Sequence, residues 1–274
     1  MAVLSLLLAV AVALLIAAKR NQPPATPGGP AIALPFQADL VSHAGAGMPG
    51  AIYSNSREAL ELAVARGHRK IEIDLIETSD GVVVAAHDWD RTYLELHPAP
   101  SIGVRLRSLV GIAPNHAEFM AQPMRGGLTP FDASYLAAWL KRHPQVRIIT
   151  DAKGDNLETL RKLLVAGVPR SQLVAQIYAR GELAGARALG FERIIYILHR
   201  DPDVALSDVI DFAQRHGLVV TIPEARVSFE VIDQFKRGGV PLYIHTINDP
   251  GMAQRMIERG AAGVYTDFLY NPGS

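Results

Sequence analysis

Eight short β-like runs separated by helix-period stretches constrain this chain more than any other feature. The runs are Leu40–Ser42, Lys70–Leu75, Val146–Thr150, Leu173–Ile177, Arg193–Leu198, Leu218–Ile222, Pro241–Thr246 and Gly263–Thr266. Amphipathic segments lie between them: Ser56–Arg66, Ala133–Arg142, Leu157–Leu164, Leu183–Ala188, Asp208–Arg215, Phe229–Lys236 and Met252–Arg259, each closed by a nearby Gly, Pro or His. From the third run onward the spacing stays near 20 to 30 residues, the rhythm of repeated βα units. Parallel strands need such crossovers, and eight of them close a barrel. The sequence therefore predicts an α/β fold, a TIM (β/α)8 barrel over residues 39–274. The interval 89–130, rich in Pro and Gly, breaks the rhythm and is expected to form an insertion beside the second strand that helps cover the site.

Ahead of the barrel, Ala2–Ala18 is an uncharged, almost wholly apolar run, followed by Lys19 and Arg20. Its length is at the short end of what crosses a hydrocarbon core and beyond a usual signal-peptide core. Residues 1–20 are expected to form a hydrophobic anchor helix, a transmembrane segment or uncleaved signal, and to hold the protein at a membrane as a single-pass species. Two basic residues leave the membrane side open. The alternative is a cleaved signal that exports the chain. Residues 21–38 carry Pro23, Pro24, Pro27, Pro30 and Pro35 with Gly28 and Gly29, a composition that sustains neither helix nor sheet and reads as a linker.

Charge and cysteine content then exclude classes of function. The 27 Lys and Arg balance the 27 Asp and Glu, so there is no electrostatic footprint for nucleic acid. With no cysteine there is no thiol nucleophile, disulfide or thiolate metal site, and any metal must be held by oxygen or imidazole. Oligomeric state is left open.

In a βα barrel the chemistry gathers at the C-terminal ends of the strands, and this chain places polar side chains there. His43 ends the first run, Glu72 and Asp74 lie in the second, Asp151 and Lys153 follow the third, and Gln176 and Tyr178 end the fourth. His199 and Arg200 follow the fifth, His245 and Asn248 the seventh, and Asp267 the eighth. Glu72 and Asp74 stand two apart, so strand alternation points both carboxylates to one side. At about 4 Å and an effective dielectric near 20 they would repel by roughly 4 kcal/mol, which a proton, a basic partner or a metal must offset. A hard divalent cation, Mg²⁺ or Ca²⁺, with Asp151 as third carboxylate, fits that need. The bland alternative is a solvated strand face paired with Arg69 or Lys70. His87, next to Asp88 at the end of a short apolar run, and His43 are candidates for general acid and base. Lys153 is placed to neutralise a phosphoryl oxygen. His68, His97, His116, His143 and His216 are expected to be capping or surface groups.

Gly45-Ala-Gly-Met-Pro-Gly50 also matches G-x-G-x-x-G, with Glu72 about 20 residues on, which opens a dinucleotide-binding alternative. Against it, Pro49 interrupts the loop and the best helix start comes later, with Ser54 or Asn55 as N-cap.

Taken in order, these residues resemble the glycerophosphodiester phosphodiesterase family, within the superfamily that includes phosphatidylinositol-specific phospholipase C. The family's H-R-G resembles His43-Ala44-Gly45, its P-E-N-T resembles Tyr53-Ser54-Asn55-Ser56, and its E-x-D resembles Glu72-Ile73-Asp74. The T-x-D-G turn and H-D pair resemble Thr78–Gly81 and His87-Asp88. The later E-x-K, W-T-x-N and T-D resemble Asp151-Ala152-Lys153, His245-Thr246-Ile247-Asn248 and Thr266-Asp267. The resemblance implies a phosphoric diester hydrolase acting on a glycerophosphodiester or a related phospholipid head group. It also implies one divalent cation on Glu72, Asp74 and Asp151, and His43 and His87 as acid and base. Substrate contacts are expected from Lys153, Asn55, Gln176, Tyr178, His245 and Asn248. Three departures stand out: Ala44 replaces an arginine that would contact phosphate, Asp151 replaces a glutamate, and His245 replaces an aromatic residue. The first leaves room for a catalytically silent barrel that binds a phosphorylated ligand, and the second is similar to the spider sphingomyelinase D branch.

Overall fold

A computed structural model of the chain describes residues 31–198 and 204–272. After a two-residue strand Ile32–Ala33 (β1), the eight expected strands follow as Leu40–Ser42 (β2), Lys70–Glu77 (β3), Arg147–Ala152 (β5), Leu173–Ile177 (β6), Ile194–Ile197 (β7), Val219–Pro223 (β8), Leu242–His245 (β9) and Gly263–Thr266 (β10). They pair in parallel, each with the next, and β2 pairs with both β10 and β3, so the sheet closes into a TIM barrel. A short strand Val83–Ala85 (β4) folds back antiparallel on β3, and Leu269–Tyr270 (β11) pairs with β1. The helices of the repeating units are Arg57–Ala65 (α1), Ala133–Arg142 (α5), Asn156–Val165 (α6), Glu182–Ala188 (α7), Leu206–His216 (α8), Phe229–Arg237 (α9) and Pro250–Arg259 (α10).

Strand alternation sorts the side chains into two layers. Ile71, Ile73, Leu75, Ile148, Ile177, Val220, Ile244 and Val264 face outward and pack under the helices in the main core. Val41, Ile149, Ile195, Tyr243 and Tyr265 face inward and fill the base of the barrel. Glu72 and Asp74 belong to the inward set with Lys70, whose ammonium closes the base by bonding Asp39 and the Tyr243 hydroxyl. The register sets Asp74 directly beside Asp151 on the neighbouring strand.

The interval 89–130 is an insertion of three short helices, Arg91–Leu96 (α2), Ile102–Ser108 (α3) and His116–Ala121 (α4). It has a small core of its own, Val84, Ala86, Trp89, Tyr93, Val104 and Phe119, pinned to the barrel where Trp89 Nε1 donates to the Glu77 carbonyl at 3.0 Å. Leu96, Met124 and Leu128 pack on Ala51 in the loop after β2. His97 caps the C-terminus of α2, as a capping role would have it, but is buried and stacked on Tyr93 at 4.2 Å; His68 is buried and differs from the capping or surface position expected, because apolar packing and a backbone partner suit a neutral imidazole. His199 and Arg200 lie outside the described residues, as do the anchor segment 1–20 and most of the linker. Among the described residues, no helix is long and apolar enough to cross a membrane.

Candidate active site

Two strands and one tight loop build the mouth of the barrel. From β3, Glu72 and Asp74 project inward, 3% and 1% exposed. From β5 comes Asp151, and one carboxylate oxygen of each of the three lies within 4.8 Å of the others. The loop after β2 then folds over them. Ala44 N–H donates to Glu72 Oε2 at 2.8 Å, which turns Ala44 into the left-handed region at φ 49°. Asn55, also left-handed at φ 45°, donates from Nδ2 to Asp74 Oδ2 at 2.8 Å and accepts from the Asp74 N–H at 3.0 Å. Asn55 is thus part of the site's frame, and the cap of α1 passes to Ser56, one residue beyond the expected start.

The glycine-rich loop is a packing device. A Cβ on Gly45 would meet the Ala59 methyl at 2.9 Å, and one on Gly47 would meet Phe268 and Asp267. The first helix after it begins at Arg57, well past Gly50. No helix N-terminus sits at this loop to receive a pyrophosphate, and the dinucleotide alternative is overturned.

The two histidines both pack against one ring, that of Tyr53. His43 Nδ1 shares a 2.8 Å hydrogen bond with Asp267 Oδ1, and its Nε2 is 4.0 Å from Glu72 Oε2. His87 Nδ1 shares a 2.9 Å bond with Asp88 Oδ2. Tyr53 packs edge-on against both, with centroids 5.1 Å from His43 and 5.0 Å from His87. In each case a carboxylate fixes one ring nitrogen and leaves the other aimed elsewhere, the arrangement an acid–base histidine needs.

Lys153 lies 2.5 Å from Asp74 Oδ1 and 2.9 Å from Asp151 Oδ2. Tyr178 donates its hydroxyl to Asp151 Oδ1 at 2.5 Å. Asn248 donates to Asp267 Oδ2 at 2.7 Å and accepts from its N–H at 2.8 Å, so its amide orients the partner of His43. His245 packs edge-on against Tyr265 on the far wall. Gln176 is fully buried inside the barrel, and neither atom of its amide has a hydrogen-bond partner.

Burial and charge shape the proton affinities. Glu72 is pushed up to about 8, first by burial and then by Asp74, with Asp151 adding to it against the opposing pull of His43 and Lys153. Burial alone would lower His43, but the bond to Asp267 and the charges of Glu72, Asp267 and Asp74 outweigh it and raise the imidazole to about 9. Burial likewise disfavours the Lys153 ammonium, yet Asp74, Asp151 and Glu72 hold it charged well above the usual range. Asp88 is held well below the carboxylate range because hydrogen bonds from His87, Thr92 and Asp90 override its burial. Tyr53 is raised to about 12 by burial and by the surrounding carboxylates.

A cation suits this donor set. Glu72 Oε1 is buried with no hydrogen-bond partner, which is costly for a carboxylate oxygen. Glu72, Asp74 and Asp151 each bring one carboxylate oxygen within 4.8 Å of the others, all hard oxygen donors of the kind Mg²⁺ and Ca²⁺ take. Tyr53, Asp88 and Asp267 were not among the site residues expected from the sequence. Asp88 and Asp267 carry a signal in the H-D and T-D pairs; Tyr53 carries only its place in the loop before Asn55.

Residues 43–97 match the model of the glycerophosphoryl diester phosphodiesterase family. That segment holds both candidate histidines, Glu72 and Asp74, and agrees with the family resemblance read from the motifs. No curated protein matches the chain. Among solved structures, the fold is similar to a phosphodiesterase from Oleispira antarctica in complex with the product sn-glycerol-3-phosphate. That pair is 18% identical over 86% of this chain and 94% of the other, with a TM-score of 0.60. A glycerophosphodiester phosphodiesterase from Parabacteroides distasonis is similar at 16% identity, covering 87% and 94%, with a TM-score of 0.59. One from Agrobacterium tumefaciens matches at 16% identity, 84% and 96%, with a TM-score of 0.56.

Proposed function

We propose that this chain, whose residues 43–97 match the model of the glycerophosphoryl diester phosphodiesterase family, is a divalent-cation-dependent hydrolase of glycerophosphodiesters or of related phospholipid head groups. The observation that carries the reading is the convergence of Glu72, Asp74 and Asp151 within 4.8 Å, with His43 4.0 Å from Glu72. The product-bound Oleispira antarctica neighbour supports the substrate class. Glu72, Asp74 and Asp151 would hold the cation, whose contribution when bound is to polarise a phosphoryl oxygen and offset its developing charge.

The chain's own residues account for the rest. Lys153, already charged and in contact with Asp74 and Asp151, is within reach of a phosphoryl oxygen seated over the carboxylates. His43 and His87 divide the two proton transfers: one imidazole takes the proton of the attacking water or substrate hydroxyl, and the other protonates the leaving alcohol oxygen. Asp267 and Asp88 keep the two rings oriented, and Asn248 keeps Asp267 in place. Tyr53 fills the gap between the rings and fixes their separation. The apolar run at residues 2–18 tethers the enzyme to a membrane.

The test is an activity matrix on the full chain, with Mg²⁺, Ca²⁺ or chelator against glycerophosphocholine, glycerophosphoinositol and a phosphomonoester. Turnover of a diester that needs a divalent cation and vanishes in chelator supports the reading. Calorimetric binding of the same diesters without turnover under every cation would replace it with a silent phospho-ligand-binding barrel.

A further inference from the structure

Among the described residues, seven large hydrophobic side chains are strongly exposed, and five of them fall in one stretch of the insertion. These are Ile102, Leu106, Leu109, Val110 and Ile112, with Ile102 and Val110 at 74% and 65% exposure. Ile102, Leu106, Leu109 and Val110 follow the spacing of a single helix face along α3 and its C-terminal turn. The other face of α3 is already in use, since Val104 and Ser108 are buried in the insertion. The helix is therefore apolar toward its own core and apolar toward the outside. A contiguous outward patch of this kind marks a surface that is covered in use.

Two observations say what covers it. The first is charge. Residues 98–115 contain no acidic residue; Arg107 is paired with Glu118 at 2.6 Å, and the exposed Arg105 sets a cation beside the apolar face that complements an anionic surface. The second is where the chain enters the fold. Ile32 N–H donates to the Phe268 carbonyl at 3.0 Å, and Phe268 directly follows Asp267, the partner of His43. Residues 1–30 therefore join the body at the catalytic end of the barrel. Residues 20 to 31 span at most about 40 Å when fully extended, so a bilayer that held the apolar run at 2–18 would lie within that distance of the mouth. The insertion stands at the same end, because it leaves the barrel directly after His87 and Asp88 and packs on the loop after β2.

We infer that the face formed by Ile102, Leu106, Leu109, Val110 and Ile112 seats on the interfacial region of an anionic lipid bilayer, with Arg105 at the head-group level. Interfacial helices bind this way, with apolar area below and basic side chains reaching out to anionic lipid. The contact does not depend on the hydrolase reading. Its consequence for that reading is geometric: the mouth of the barrel would sit at the lipid surface, where a head group can enter.

The chain contains no cysteine, which permits a direct test on the full protein. Val110→Cys, and in a second variant Val165→Cys, is labelled with an environment-sensitive fluorophore. Val165 is more exposed still, at 75%, but lies at the end of α6, away from the mouth. The proteins are then incorporated into vesicles of phosphatidylcholine mixed with phosphatidylglycerol, or of phosphatidylcholine alone. The expected result is a blue shift at position 110 and quenching by nitroxide lipids, both greater with phosphatidylglycerol, and neither at position 165. Leu106→Asp, at an exposed position, should return the label at 110 to a water-like spectrum while leaving the melting temperature unchanged. The inference is overturned if the label at 110 stays water-like on protein that co-sediments with vesicles, since the N-terminal run would then be the sole contact. It is overturned as well if the label is shielded before vesicles are added, which would assign the face to a protein or a second copy of this chain, or if both labels shift alike.

Discussion

At the barrel mouth, Glu72, Asp74, Asp151 and Asp267 face one ammonium, Lys153, and one imidazole, His43, so buried negative charge exceeds what the chain itself neutralises. In the insertion a few side chains away the surplus is of the opposite kind: Ile102 and Val110 stand 74% and 65% exposed, more apolar surface than its small core can cover. The contrast lies in how each region is held. The mouth is locked by main-chain and side-chain hydrogen bonds from Ala44, Asn55 and Asn248, so its charges cannot relax apart, and a bound cation would relieve them. The insertion rests on a core of six buried residues that includes Val84 of β4. Variants in the first region should therefore remove chemistry, and variants in the second should leave it intact.

The largest effect is expected from neutralising the mouth. Glu72→Gln or Asp74→Asn should lower diester turnover by about a thousandfold or more, because the stabilisation of developing charge is removed. Calorimetry should show cation binding lost in the same variants. Wild-type turnover in either variant in the presence of chelator would break the comparison at its root. His87→Ala should cost about 10²- to 10⁴-fold in turnover and keep cation binding, since His87 bonds Asp88 and touches none of the three carboxylates.

A smaller effect is read from stability without cation. Glu72 at about 8 and His43 at about 9 both bind their protons more tightly folded than unfolded, where the ordinary values are 4.5 and 6.5. The folded state therefore holds more protons between pH 7 and 9, and stability should fall as pH rises through that window. Saturation with Mg²⁺ or Ca²⁺ should reverse the fall, raising stability by about 3 kcal/mol at a hundredfold excess over the dissociation constant. Thermal melts across pH 7 to 9, with and without cation, check both signs.

The most local effect belongs to the insertion. His97 is lowered to about 4 by burial, despite the opposing bond to the Tyr93 carbonyl. Its unfolded form takes up a proton near 6.5, so the insertion should lose up to about 3 kcal/mol as pH drops from 6.5 to 4. Hydrogen exchange should show amides of residues 91–121 losing protection in that range before those of the barrel strands. Simultaneous loss in both would mean that the two regions are one cooperative unit.

Much of this was legible in the chain. All eight barrel strands lie where period-2 runs were read, because each is bounded by turn residues and alternates with a helix of matching period. Glu72, Asp74 and Asp151 were legible as a set because a strand position fixes which way a side chain points. Asn55 and Asn248 were read as substrate contacts, and the structure adds their bonds to Asp74 and Asp267; a sequence gives the residue and its place in a motif but not which neighbour its amide meets. Tyr53 was missed for the same reason, since an aromatic side chain in a loop carries no periodicity. The exposure of α3 was equally invisible, as Ile102 and Val110 have the composition of a core helix and only the packing of Val104 shows which face is inside.

The central claim is that three carboxylates from β3 and β5 hold one cation. Anomalous diffraction from crystals soaked in Mn²⁺ tests it most directly. The account predicts a single strong peak among Glu72, Asp74 and Asp151, displacing no part of the frame made by Asn55 and Ala44. Active protein whose crystals show no peak there, or a peak only elsewhere, would contradict it.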